Sequence, residues 1–265
     1  MSERQSTAII DAHAHLGKWA YPITQHDAGG LAAEMSQLGI SAAVVSHSMA
    51  IAYDAEEGNR VLAEEIRNYP QFWGYVGVNL NYLDEAMNEL ERYLGPNAEQ
   101  PGKFIGVKVH QLFSRHSYDT PEGMALTRAV AGYGVPILVH TFGSPLESPW
   151  NVLSAAKANP NVRFILGHMG GDGWWEGARV GREAPNLYLE LCSSWTDPEK
   201  VRAAIDAVGV DRVLFGSDAS LFTASHMIGA LEDAGLSVEE SRLIMGENAR
   251  RLFQGFNNHH ALNNQ

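Results

Sequence analysis

Residues 8–15 read Ala-Ile-Ile-Asp-Ala-His-Ala-His, a short apolar run that passes straight into two histidines. The apolar part, Ala8–Ala12, suits a strand buried on both faces, as in a parallel sheet. The same construction recurs along the chain at Ala43–Ser46, Trp73–Val78, Ile105–Val109, Ile137–Val139, Arg163–Leu166, Leu187–Leu191 and Arg212–Phe215. Helical stretches lie between these runs: Leu31–Leu38, Ala55–Tyr69, Asp84–Leu94, Pro121–Tyr133, Pro149–Ala158 and Pro198–Val208. Thr120-Pro121-Glu122 and Asp197-Pro198-Glu199 offer an N-cap with Pro in the first turn. A capping-box pattern, Ser237-Val238-Glu239-Glu240, opens a last helix over Val238–Phe253. Eight such β/α units in a chain of 265 residues predict an α/β fold, a single (β/α)8 TIM barrel with an extra C-terminal helix, since that barrel takes about 250 residues. A doubly wound open sheet is the alternative that pattern alone leaves open. The barrel is expected over residues 1–255, with a polar tail at 256–265.

The residues that close the runs are unlike the runs themselves. His13 and His15 end the first, His47 the second, Lys108 and His110 the fourth, His140 the fifth, His168 the sixth, and Asp218 follows the eighth. Glu190 lies in the seventh. In a barrel the C-terminal strand ends converge on one face, where the chemistry of the fold is placed. His13 and His15, two apart on a strand, point to the same side. Together with His140 and Asp218 they make a donor set suited to Zn2+ or, as the alternative, Mn2+ or another divalent ion. Each has a plainer reading: His140 as a hydrogen-bonded core histidine, Asp218 as a helix cap before Ala219-Ser220, His168 as a loop residue among glycines. Lys108 at the end of an apolar strand needs a partner; pairing with Asp218, anchoring a substrate anion, and carboxylation to bridge two metals all stay open.

Composition removes other classes. A net charge of −12 and the lack of a Lys/Arg run beyond Arg250-Arg251 exclude a nucleic-acid binder and an anionic-membrane binder. No apolar run reaches the roughly 18–20 residues needed to span a bilayer. Cys192 is the only cysteine, which excludes an internal disulfide and suits a reducing compartment. With no signal-peptide pattern ahead of strand one, a cytoplasmic protein is expected.

Six motifs resemble the amidohydrolase superfamily, in particular the amidohydrolase-2 family: residues 11–17 (Asp-Ala-His-Ala-His-Leu-Gly), 106–110 (Gly-Val-Lys-Val-His), 137–140 (Ile-Leu-Val-His), 166–171 (Leu-Gly-His-Met-Gly-Gly), 215–218 (Phe-Gly-Ser-Asp) and 246–253 (Gly-Glu-Asn-Ala-Arg-Arg-Leu-Phe). They run in the family's order over nearly the whole chain. The resemblance implies His13, His15, His140 and Asp218 as ligands of one ion, with His168 and Asp218 as catalytic residues. If there is a second ion, Lys108 and His168 would hold it. It also implies a metal-dependent hydrolase of a small-molecule amide, lactone or ester, in which Asp218 takes a proton from the activated water, with a homodimer as the quaternary expectation. Non-oxidative decarboxylation of an aromatic or dienoic acid is the second reading, since the branch contains such enzymes, and a non-catalytic metal-binding protein the third. His110, Arg115, Trp174 and Glu190 are the expected substrate contacts. Trp19, Tyr21, Phe113, Phe142, Trp174 and Trp175 fall in or near strand-end loops and suggest an apolar or aromatic face on the substrate.

Overall fold

A computed structural model describes residues 8–23, 27–193, 195 and 197–253; the tail expected at 256–265 lies outside the described residues. The strands are β1 (Ile9–Leu16), β2 (Ile40–His47), β3 (Phe72–Val78), β4 (Phe104–Val109), β5 (Ile137–His140), β6 (Phe164–Gly167), β7 (Leu187–Glu190) and β8 (Val213–Leu214). All seven strand pairings are parallel and the spatial order is the chain order. An open doubly wound sheet would reverse its order at a switch point, so that alternative falls. Closure comes from backbone bonds between β1 and the segment around β8: Ala12 N–H donates to Phe215 O at 3.0 Å and Asp218 N–H to His13 O at 2.8 Å. The result is a nearly closed (β/α)8 barrel.

The helices are α1 (Ala28–Leu38), α2 (Ser48–Ala52), α3 (Ala55–Ile66), α4 (Leu83–Leu94), α5 (Gln111–Ser114), α6 (Pro121–Ala131), α7 (Trp150–Ala158), α8 (Trp174–Arg182), α9 (Pro198–Val208), α10 (Ala224–Asp233), α11 (Val238–Arg242) and α12 (Asn248–Leu252). The expected caps are made: Thr120 accepts from Gly123 N–H, Asp197 from Lys200 N–H, and the Ser237–Glu240 box is complete. The single helix expected over Val238–Phe253 is instead interrupted by a π turn at Leu243–Glu247. There Ile244 O accepts from Phe215 N–H at 3.0 Å, so the irregular turn ties the last helix to the end of β8. Beyond it Ala249, Leu252 and Phe253 pack with Ile10, Tyr75, Leu138 and Leu214, filling the barrel interior from the end opposite the histidines.

One irregularity aims the site. Ile10 and Ala12 belong to the interior cluster, whereas Ala14 and Leu16 belong to the cluster shared with the helices. Strict alternation would put all four on one face. The β1–β2 register shifts between Asp11 and Ala14, and the extra residue of that bulge changes the phase. His13 and His15 thereby turn into the barrel mouth.

Candidate metal centre and active site

His13, His15 and Asp218 come together as one group of buried donor atoms, all within 4.8 Å of one another. His15 Nε2 is 3.0 Å and His13 Nε2 3.7 Å from Asp218 Oδ1. The outer nitrogens are held from behind. His13 Nδ1–H donates to Glu190 Oε2 at 2.8 Å, and Ser46 Oγ lies 2.9 Å from His15 Nδ1. The hydroxyl can donate or accept, so His15 can offer either a proton or a lone pair at Nε2. Asp218 is set by Asp11, whose carboxylate accepts from the backbone N–H groups of His13 and Ser217, each at 3.0 Å, and from the Ser217 hydroxyl. Asp218 and His168 both have left-handed backbone, with φ of 56° and 61°, a strained choice for non-glycine residues that is concentrated at functional sites.

His168 joins His13, Glu190 and Cys192 in a second group of buried donor atoms within 4.8 Å of one another, and it also meets His140. His168 Nε2 lies 3.0 Å from His140 Nδ1. His168 Nδ1–H donates to the Cys192 carbonyl at 3.0 Å, and His140 Nε2–H donates to Glu147 at 2.8 Å. A carbonyl and a carboxylate only accept, so in neutral rings both inward nitrogens carry lone pairs. Two lone pairs at that separation call for a proton or a cation beside them. On the other side Lys108 Nζ, 1% exposed, donates to His13 Nε2 at 2.6 Å, already placing positive charge on a nitrogen expected to bind metal. Three inward imidazoles, one carboxylate and carboxylate-backed histidines form the donor set and outer support that a divalent ion takes. His140 stands apart from the three-residue group, reached through His168.

The electrostatics suit the same reading. Burial lowers the pKa of His13, His15, His140, His168 and His110, which keeps their rings neutral. Burial pushes Asp218 up, but the neighbouring His168 and His15 imidazoles and the Lys108 ammonium outweigh it and hold the carboxyl below the usual aspartate range. Burial brings Lys108 down to about 8. Asp11 and Glu190 are raised to about 7, again by burial, against the hydrogen bonds they accept.

Not every expected contact reaches the cavity. His15, His110, His140, His168 and Asp218 form its polar side, and Trp19, Tyr21 and Phe113 its aromatic side; its volume is about 160 Å3. His110 stacks on His140 with ring centroids 3.8 Å apart. Glu190 does not line this space: it is fully buried beneath His13 and also accepts from His168 N–H and Cys192 N–H. Trp174 is the first residue of α8, its ring against Trp175, and it too stays outside the lining. Arg115 ends α5 with φ of 52°; it is exposed and acts on Glu147 through its charge rather than on the cavity. Sequence reasoning assigned no role to Glu147, Ser46 or Cys192, none of which carries a local signal. Asp11 had one, standing two residues before His13 in the motif.

Gly216 is a condition of this arrangement. A Cβ there would overlap Glu190 Oε1 and lie 2.9 Å from His13 Cβ. Gly216→Ala is expected to push Glu190 off His13, costing about 1–3 kcal/mol of stability and weakening metal binding. Thermal melts of the metal-free and metal-loaded variant check this: an unchanged metal-induced shift in Tm would show that the Glu190–His13 contact does not matter.

A family model described as Amidohydrolase matches residues 10–255. No curated protein sequence matches the chain. Among solved structures it is similar to 2,6-dihydroxybenzoate decarboxylase from Rhizobium, with 19% identity over 94% of this chain and 99% of that one and a TM-score of 0.75. It is also similar to 5-carboxyvanillate decarboxylase from Novosphingobium aromaticivorans, crystallised with manganese, with 15% identity over 96% and 97% and a TM-score of 0.76. An amidohydrolase from Burkholderia multivorans is 17% identical over 93% and 99%, with a TM-score of 0.72.

Proposed function

The chain belongs to the amidohydrolase family, and from that premise we propose that it is a divalent-metal-dependent decarboxylase of a small aromatic carboxylic acid. The observation that carries this reading is the cavity itself: about 160 Å3, with Trp19, Tyr21 and Phe113 facing the histidines and Asp218. A cavity of about 150 Å3 takes a benzene ring, so one ring fills it with its carboxylate against the polar side. The two decarboxylases of similar fold support the same reading. The sequence favoured hydrolysis, and it remains the second reading because Asp218, held as a carboxylate beside His15, is also placed to take a proton from water.

His13, His15 and Asp218, with His140 as fourth ligand, would hold the ion, Mn2+ or Zn2+. When bound it supplies a fixed positive charge that binds and orients the substrate carboxylate. The remaining work falls to side chains. Trp19 and Phe113 flank the ring and exclude water. As the bond from ring carbon to carboxylate breaks, CO2 leaves and the electron pair stays on the carbon, which must gain a proton. His168 is the group placed to deliver it, because Nδ1–H is fixed on the Cys192 carbonyl and Nε2 faces inward. The ring is neutral at rest, so Nε2 first takes up a proton from solvent. The lowered pKa makes that imidazolium a strong proton donor, and the Asp218 carboxylate stabilises it. Transfer of the proton to carbon returns the neutral ring.

The test is product identity. Metal-loaded protein is incubated with carboxyl-labelled 2,6-dihydroxybenzoate and related hydroxybenzoates, and in parallel with aryl esters and lactones. Labelled CO2 together with the decarboxylated phenol is the expected result. Ester or lactone cleavage without CO2 from any acid would overturn the assignment in favour of hydrolysis.

A further inference from the structure

Trp19 lines two cavities. One is the catalytic cavity of about 160 Å3; the other, of about 500 Å3, lies beside it between the ends of β1 and β2 and is bordered by Lys18, His47, Tyr53 and Glu65. The indole is the shared wall. It meets His15 edge-on with centroids 5.2 Å apart and stacks on Phe113 at 6.1 Å. Its Nε1–H is shielded and has no hydrogen-bond acceptor among the described residues. Ring packing alone therefore sets the position of the wall, while the backbone just before it is pinned by the Ser48 hydroxyl, which donates to Lys18 O at 2.8 Å.

The second cavity has its own polar end. His47 Nδ1 accepts from Met49 N–H at 3.1 Å, which leaves the proton of the neutral ring on Nε2, 4.0 Å from Glu65 Oε1. The ring has room because residue 17 is glycine: a Cβ there would lie 2.6 Å from His47 Nε2. The Nε2–H donor of His47 at this cavity suits an extension that carries a hydroxyl, whose oxygen accepts from it.

We infer that Trp19 is the specificity-determining wall of the site: it limits the ligand to a single ring by closing off a neighbouring cavity in which His47 can receive a hydroxyl-bearing extension. This rests on the metal-site reading above but not on the reaction being decarboxylation. The probes are therefore acetohydroxamate, 4-phenylbenzohydroxamate and its 4′-hydroxy derivative, which need only an open metal ion. Affinities are measured by calorimetry on manganese-loaded wild type, Trp19→Ala, Trp19→Phe and Trp19→Ala/His47→Ala.

Trp19→Ala is expected to bind the two-ring probe at least about tenfold tighter than wild type does, from the apolar surface newly buried, with acetohydroxamate little changed. Trp19→Phe should shift the same ratio in the same direction by less, which keeps the test alive if the alanine variant folds poorly. The hydroxyl of the third probe should add affinity in Trp19→Ala, and that increment should vanish with His47→Ala. An unchanged ratio between the affinities for acetohydroxamate and for 4-phenylbenzohydroxamate in both Trp19 variants would overturn the wall. A hydroxyl increment that survives His47→Ala would overturn the subsite. Acetohydroxamate failing to bind any of the four proteins would remove the metal-site reading and the inference with it.

Discussion

Asp218→Asn is expected to lower labelled CO2 release by about 10²–10⁴-fold, the range typical of losing a charged partner in proton transfer, while the metal-free protein keeps its fold. The change is nearly isosteric but removes the one carboxylate of the set, which His168, His15 and the Lys108 ammonium jointly hold ionised. Two consequences follow at once. The ion loses its only anionic ligand of the set, and His168 loses the charge that favours its protonated form. Measuring kcat at saturating metal separates them: restored turnover at high Mn2+ would reduce Asp218 to a ligand, and wild-type kcat would remove it from the chemistry.

Glu190→Gln should weaken metal binding by about 10–100-fold, the usual loss when the partner behind a ligating histidine is removed. Glu190 accepts from His13 Nδ1–H, His168 N–H, Cys192 N–H and the Cys192 thiol. An amide offers one oxygen where those donors need two, so at least one N–H would face an NH2 group in a fully buried position. His13 would lose the hold that keeps Nε2 turned inward. Competition with a chelator of known affinity gives the number, and a wild-type metal Kd would show that Glu190 only fills space.

The barrel was legible because its strands are short, apolar and closed by residues that do not belong in a core. His13, His15, His140, His168 and Asp218 could be placed at strand ends from that contrast alone, and the structure groups His13 with His15 and Asp218 on one side and with His168 on the other, with His140 reached through His168. What escaped depends on three-dimensional phase and distance. The bulge in β1 turns His13 and His15 inward, yet its cause lies in pairing with β2, which no stretch of β1 records. Glu190, a carboxylate within the seventh apolar run, was expected as a substrate contact, but it sits in the layer below His13. Glu147 reaches His140 from a loop seven residues away with no motif to mark it. The π turn at Leu243–Glu247 sits inside a run whose helical periodicity is unbroken, since docking on β8 rather than local propensity sets it.

The most direct test of the metal-dependent site is elemental mass spectrometry on protein reconstituted with Mn2+ or Zn2+ and desalted, alongside the His13→Ala/His15→Ala double variant. One ion per chain in the wild type and none in the variant is the predicted result. Metal-free protein in both cases, or equal metal in both, would contradict a centre built on these histidines.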